Sequence, residues 1–260
     1  MSAAAPPIVV AEGLAQRFGT RTIFRDVSFE VRPGEVFVIL GGSGCGKSTL
    51  MKQLIGLLPP TSGNITVGGH VITGPDGDAG REAMRGNIGV MFQSGALFGS
   101  MTLLENVMLP LEIFTDLPAD ARAAVARVKL ALVGLAEASA LMPAEISGGM
   151  AKRAGIARAM ALDPPLLFLD EPSAGLDPIT SAGLDRLILD LRRDTGVTFV
   201  VVTHELASIM AIADRCLMLD RNAYPDGGGV IAEGDPRRLR DESEHRTVRA
   251  FFRREPLEAA

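Results

Sequence analysis

The 260-residue sequence has no tryptophan, one tyrosine, two cysteines and three histidines. With no tryptophan and one tyrosine, an aromatic platform for stacking nucleic-acid bases is not expected. The net charge is -5. An acidic balance argues against a dedicated nucleic-acid binder, so no nucleic-acid partner is expected. Cys45 and Cys216 stand far apart and form neither a metal-ligand pattern nor a disulfide framework. Both read as small buried or loop-lining residues, which fits a reducing compartment. No apolar run approaches the ~20 residues that span a bilayer, and runs such as FVVV at 199–202 fall far short of it. The start, MSAAAPPIVV, lacks a basic region followed by an apolar core, so no signal peptide is expected. Membrane association would then come through a partner.

Hydrophobic residues make up 47% of the chain, enough for a sizeable core. Residues 8–40 alternate as strands, pass a turn at Pro33-Gly34 and end in the continuously apolar VFVIL, a strand buried on both faces. Helical spacing follows from Ser48 to Leu58, stopped by Pro59-Pro60. ITVGG and IGVMF read as further strands. Residues 73–87, rich in Gly, Asp and Arg, read as loop with one helical turn at most. Residues 102–162 are Ala/Leu-rich and helical, with a stripe at Ala121, Val125, Val128, Leu132 and Leu135. LLFLD (166–170), a helix over 179–194, VTFVVVTH (197–204), a helix from Glu205, CLMLD (216–220), a Pro225–Gly229 turn and VIAEGD complete the pattern. It predicts an α/β fold with a parallel-sheet core and an inserted helical lobe.

The most informative stretch is GGSGCGKST, residues 41–49. Gly41-x-x-x-x-Gly46-Lys47-Ser48 lies between a buried strand and a helix, the context a phosphate-binding P-loop requires. Gly41, Gly42, Ser43, Gly44, Cys45 and Gly46 would form an anion-holding nest, helped by the helix N-terminus. Lys47 would reach the β- and γ-phosphates of ATP, Ser48 would ligate Mg²⁺, and Thr49 would lie near the α-phosphate. Asp170-Glu171 ends a buried strand, where ligands gather in such sheets. Asp170 would hold Mg²⁺ through water, and Glu171 would act as general base. Ser147-Gly148-Gly149 opens a helix with Lys152 and Arg153 in its first turns. It reads either as a second anion site or as an ordinary N-cap.

Taken in order, these motifs resemble the nucleotide-binding subunits of ABC transporters, over residues 8–235. They are the P-loop, Gln93 after a strand, the Ser-Gly-Gly signature, Asp170-Glu171, SAGLD (173–177) and His204 after a strand. The resemblance implies a P-loop NTPase domain over 8–240 with an N-terminal antiparallel β subdomain, a RecA-like core and a helical subdomain at about 94–163. A short helical tail would cover 241–260. It implies that Phe18 stacks on adenine, Gln93 joins Mg²⁺ and signals to a membrane partner, His204 contacts the γ-phosphate, and Asp177 works across a dimer interface. It also implies a head-to-tail homodimer with two composite ATP sites.

ISGGMAKRAGIARAMALDPPLLFLDEPSAGLDP and FQSGALFGSMTLLENVMLPL are similar, more narrowly, to ATPases of MCE-associated (Mla-type) lipid transport systems. Ile146 and Met150 replace the commoner Leu and Gln of the signature. The narrower resemblance implies phospholipid moved between inner and outer membranes, a multipass permease, an MCE lipid-binding protein, and suggests a small STAS-domain partner. The chain would sit peripherally on the cytoplasmic face of the inner membrane. Alternatives are the ATPase of another transporter, such as an amino-acid importer or lipoprotein extractor, or a soluble ABC ATPase acting on DNA or ribosomes. Leu97, Phe98, Met101 and Leu103 read either as a permease-receiving groove or as core. The arginine-rich 236–254 segment reads as a solvated face or, through Val248, Phe251 and Phe252, as an edge docked on protein.

Overall fold

The computed structural model describes residues 5–75 and 77–255. Among them one 10-stranded sheet runs in the order β5-β4-β1-β2-β10-β9-β3-β8-β7-β6. β1 (Val9–Phe18) and β2 (Arg21–Val31) form an antiparallel hairpin, with β4 (Ser62–Val67) and β5 (His70–Val71) beside it. β3 (Val36–Gly41), β6 (Ile88–Met91), β7 (Leu166–Asp170), β8 (Thr198–Val202) and β9 (Arg215–Tyr224) form the parallel half. β3 shows why its sequence is apolar throughout. Val36, Val38 and Leu40 enter the core under the helices, while Phe37 and Ile39 enter the core shared with β1, β2 and β4.

β10 (Gly227–Gly234) joins the two halves, pairing antiparallel with β9 and parallel with β2. Gly227–Gly229 were expected in a turn and instead lie in this strand. Their lack of side chains lets β10 sit close to β2: a Cβ on Gly228 would lie 2.6 Å from the Ile23 carbonyl oxygen and 2.8 Å from that of Asp220.

The helices are α1 (Lys47–Leu54), α2 (Gly77–Met84), α3 (Leu103–Phe114), α4 (Ala119–Leu132), α5 (Gly148–Ala159), α6 (Pro178–Thr195), α7 (Leu206–Ile212), α8 (Pro236–Glu242) and α9 (Arg246–Arg253). α1 stops before Pro59, because Gly56 takes a left-handed conformation at φ 74°. The segment expected to be mainly loop contains the eight residues of α2. Its glycines serve close packing: a Cβ on Gly80 would lie 1.8 Å from the Val71 carbonyl oxygen.

α3 begins with a reciprocal cap, Glu105 N–H donating to Thr102 Oγ1 and Thr102 N–H to Glu105 Oε2. α4 is rotated from the expected stripe. Ala126, Lys129, Leu130 and Val133 are buried, while Val128 is 58% and Leu132 43% exposed. The helix is so rich in alanine that two faces carry helical apolar spacing. The buried one accepts Lys129 because its ammonium reaches Asp163. Leu135 is buried as expected, and Leu103 is core. In the tail, Val248 and Phe252 are buried against this chain's own core, with Phe251 partly so. Residues 256–260 of the expected tail lie outside the described residues.

Candidate functional site

The C-terminal ends of β3, β7 and β8 bring the central residues together. After β3 the chain turns through Gly41, Gly44 and Gly46 at φ 147°, 75° and 103°. Those values lie in the left-handed region that favours glycine. A Cβ on Gly41 would lie 2.2 Å from the Leu219 carbonyl oxygen, and one on Gly46 2.7 Å from the Phe24 ring. Gly42, Ser43 and Gly44 are exposed, while Cys45 is buried, which raises its thiol pKa. Gly46 is the N-cap of α1 and no side chain caps that helix, nor does an acidic residue occupy its first turn. The first amides of α1 are therefore open to an anion. Lys47 Nζ donates to the carbonyls of Gly41 at 2.9 Å and Gly42 at 3.2 Å. Ser48 is exposed and Thr49 half-buried in the first turn of α1.

Asp170 is the last residue of β7, and its Oδ1 is buried with no hydrogen-bond partner. Burial, followed by the adjacent Glu171 charge, raises its pKa; Lys47, Lys52 and Lys152 oppose the shift. Glu171 has φ 48°, an uncommon conformation for a residue with a side chain. Its amide donates to the Val202 carbonyl at 2.8 Å, tying it to the end of β8. Its Oε1 lies 2.8 Å from His204 Nδ1, whereas Oε2 is buried without a partner. Two carboxyl oxygens left orphaned beside a lysine and an uncapped helix start are a chemistry in want of ligands.

The other candidates stand further out. Gln93 follows β6 with an exposed side chain, and Phe18 ends β1 as an exposed aromatic. Asp177 caps α6, accepting from the amides of Ile179 and Thr180 at 3.0 Å each and from Thr180 Oγ1 at 2.5 Å. The Thr180 hydroxyl and these amides hold its carboxyl below the ordinary range. Ser147 is an N-cap that accepts from the Met150 amide at 3.3 Å, and with Gly148 it is exposed. Gly149 is buried, and a Cβ on it would lie 2.6 Å from the Thr180 methyl group. Among the described residues no hydrogen bond joins Ser147 or Gly148 to the P-loop.

The profile of the ABC transporter family matches residues 24–174, more than half of the chain. The chain belongs to the ABC transporter family. It is 41% identical over 220 residues to the intermembrane phospholipid transport system ATP-binding protein MlaF of Escherichia coli, covering 84% of this chain and 81% of that protein. It is 43% identical over 213 residues to the probable ribonucleotide transport ATP-binding protein mkl of Mycobacterium tuberculosis. That match covers 82% of this chain but 59% of mkl, so the chain spans less than two thirds of the mycobacterial relative. Among solved structures it resembles cbiO1 of Clostridium perfringens, part of the ABC transporter complex cbiONQ, with a TM-score of 0.81, 28% identity and 92% of each chain covered. It also resembles the dimeric ATP-binding cassette MJ0796 bound to ADP and Pi, with a TM-score of 0.76, 29% identity, and 87% and 98% covered.

Within this ABC cassette the two basic residues in the first turns of α5 bond to backbone carbonyls. Lys152 is 6% exposed and its ammonium turns inward, donating to the Gln93 carbonyl and, at 3.1 Å, to the Glu171 carbonyl. Arg153 donates to the Val133 carbonyl at 3.4 Å. The Gly-rich opening of α5 is thus left without a cation of its own. Arg158, which the motif reading passed over, donates to the carbonyls of Ala96 at 2.8 Å and Gly95 at 2.9 Å.

The residues present fit ATP with Mg²⁺. The P-loop needs glycine where a Cβ would strike backbone, and the unpartnered Asp170 Oδ1 is suited to a hard cation or its water. Among the described residues no helix is long and apolar enough to cross a membrane.

Proposed function

We propose that this chain is the ATP-hydrolysing subunit of an ABC transporter that moves phospholipid between membranes. The observation that carries the hydrolytic part is the pairing of Glu171 with His204 at the strand ends beside the P-loop. Glu171 Oε1 is engaged by His204, so the buried, unpartnered Oε2 is free to accept a proton from water. General-base help of this kind contributes roughly 10²–10⁴ in rate. The open amides at the start of α1 and Lys47 hold the phosphates, and Lys47 exchanges its two loop carbonyls for phosphate oxygens. Thr49 lies near the α-phosphate, and Phe18 supports the adenine. Ser48, Asp170 and Gln93 hold Mg²⁺, which when bound neutralises charge on the phosphate oxygens. His204 orients Glu171 and contacts the γ-phosphate.

The exposed Ser147-Gly148 opening of α5 serves the nucleotide of a second copy in a head-to-tail homodimer, with Asp177 at the interface. The dimeric form of MJ0796 supports this reading. A cleft of about 350 Å³ lined by Leu57, Pro110, Phe114, Arg158 and Leu162 receives the multipass permease. Phe98 does not line this cleft; it is exposed, with the Arg158 guanidinium 5.9 Å from its ring. The name of MlaF supports phospholipid as cargo; the likeness of the signature stretch to Mla-type ATPases supports an MCE-type partner, a small STAS-domain partner and a peripheral position on the cytoplasmic face of the inner membrane. The name of mkl favours a second reading, the same motor with a ribonucleotide cargo.

Affinity purification from native membranes in mild detergent, with mass spectrometry of proteins and lipids, separates these readings. A permease, an MCE protein and phospholipid are expected. A permease with a soluble solute-binding protein and no lipid contradicts the cargo assignment and leaves the motor standing.

A further inference from the structure

Lys152 is a buried charge that the proposed reaction leaves without a task. Burial lowers its pKa, and Glu171, Asp170 and Glu205 oppose that shift. A charge in such a place is a poor device for stability alone, since apolar side chains of similar volume often do as well. Its geometry suggests another use. From α5 its ammonium reaches two backbone carbonyls that belong to different strand ends: Gln93 after β6 and Glu171 after β7. Glu171 is held at φ 48°, a conformation that persists only where its surroundings over-determine it. Its amide is fixed by Val202, and its carbonyl accepts from Lys152 and, at 3.2 Å, from the Ala174 amide.

The segment after Gln93 is bound along the same helix. Arg158 holds the carbonyls of Gly95 and Ala96, and a Cβ on Gly155 would lie 3.2 Å from the Gly95 α-carbon. α5 and residues 93–96 are therefore bonded to each other through three backbone carbonyls, those of Gln93, Gly95 and Ala96. Lys152 connects them to Glu171. The other end of α5 is the exposed Ser147-Gly148 opening.

We propose that Lys152 is a positioning residue that couples the two ATP sites: it ties the backbone of Glu171 and Gln93 to the helix whose opening meets the nucleotide across the dimer. Seating of that nucleotide at Ser147-Gly148 then sets the position of this chain's own general base. The inference rests on the two-site reading given above.

The test uses the full chain with K152M, K152R and S147A variants, measuring ATP binding, kcat, KM and the Hill coefficient of hydrolysis. K152M is expected to bind ATP as the wild type does and to keep its KM. Its kcat should fall roughly ten- to a hundredfold, the scale of a small misplacement at a reacting centre, and its Hill coefficient should approach that of independent sites. K152R, whose guanidinium also donates to two carbonyls, should recover most of kcat. The S147A and K152M losses should be less than multiplicative when combined, because both act on one coupling. A K152M chain with wild-type kcat and Hill coefficient overturns the inference, as do fully independent losses. Should K152M fail to fold, K152L carries the same readouts, again with no donor for the two carbonyls. Undiminished kcat in S147A sinks the two-site reading itself; a damaged S147A beside an intact K152M sinks this inference alone.

Discussion

Replacing Asp170 with Asn should stabilise the nucleotide-free protein. In the wild type, Oδ1 of Asp170 is buried without a partner, and burial and the Glu171 charge raise its pKa. A carboxyl whose folded pKa is raised contributes stability that is complete below its unfolded pKa and is lost as pH rises through the folded value. Near neutral pH the carboxylate is therefore a burden on the fold. A buried polar group left unsatisfied costs about 1–3 kcal/mol, more when it is charged, and Asn, which keeps an unpartnered oxygen, relieves only the charged part. Asp170 remains partly exposed, which puts the expected gain at the lower end, about 1 kcal/mol. For a chain of this size that is about 2–4 °C in Tm. Thermal unfolding without nucleotide should show D170N melting above the wild type near neutral pH, with the gap narrowing as pH falls towards the carboxyl range. Mg²⁺ and ATP should raise the melting temperature of the wild type more than that of D170N, since only the wild type offers the cation a charge. A D170N protein that melts below the wild type without nucleotide refutes the reasoning.

Two further outcomes follow from burial and packing. The Cys216 thiol is buried and pushed up to about 12, with desolvation as the main cause. It should resist alkylation in the folded protein at mildly alkaline pH, read by mass spectrometry, and labelling at the rate of a free thiol contradicts its placement. Gly228→Ala sets a Cβ against the carbonyl oxygens of Ile23 and Asp220 and should cost roughly 1–3 kcal/mol in denaturant unfolding, whereas an unchanged midpoint shows that β10 does not pack as described.

What the sequence made legible follows from what each pattern physically requires. The run VFVIL could be read as a strand buried twice over because both its faces do enter cores. The P-loop was legible because its glycines, lysine and hydroxyls are contiguous. Asp170-Glu171 was legible because it closes an apolar strand. Three features were hidden. Glycine at 227–229 has the composition of a turn, but close strand approach asks for the same residue. α4 offered two apolar faces, and the choice between them depends on Asp163, 34 positions away from Lys129. The inward placement of Lys152 was not legible because its acceptors are backbone carbonyls 59 and 19 positions away, which carry no residue signature.

An ATP motor whose sites are completed by a second copy must dimerise around its nucleotide, which the mass of the Glu171→Gln protein in solution with and without ATP, taken beside its ATPase rate, reads out. The protein should be a monomer without nucleotide and a dimer holding two ATP molecules when Mg²⁺ and ATP are added, with turnover lower than the wild type by roughly 10²–10⁴. A variant that hydrolyses at the wild-type rate, or that binds ATP and stays monomeric at every concentration, contradicts it.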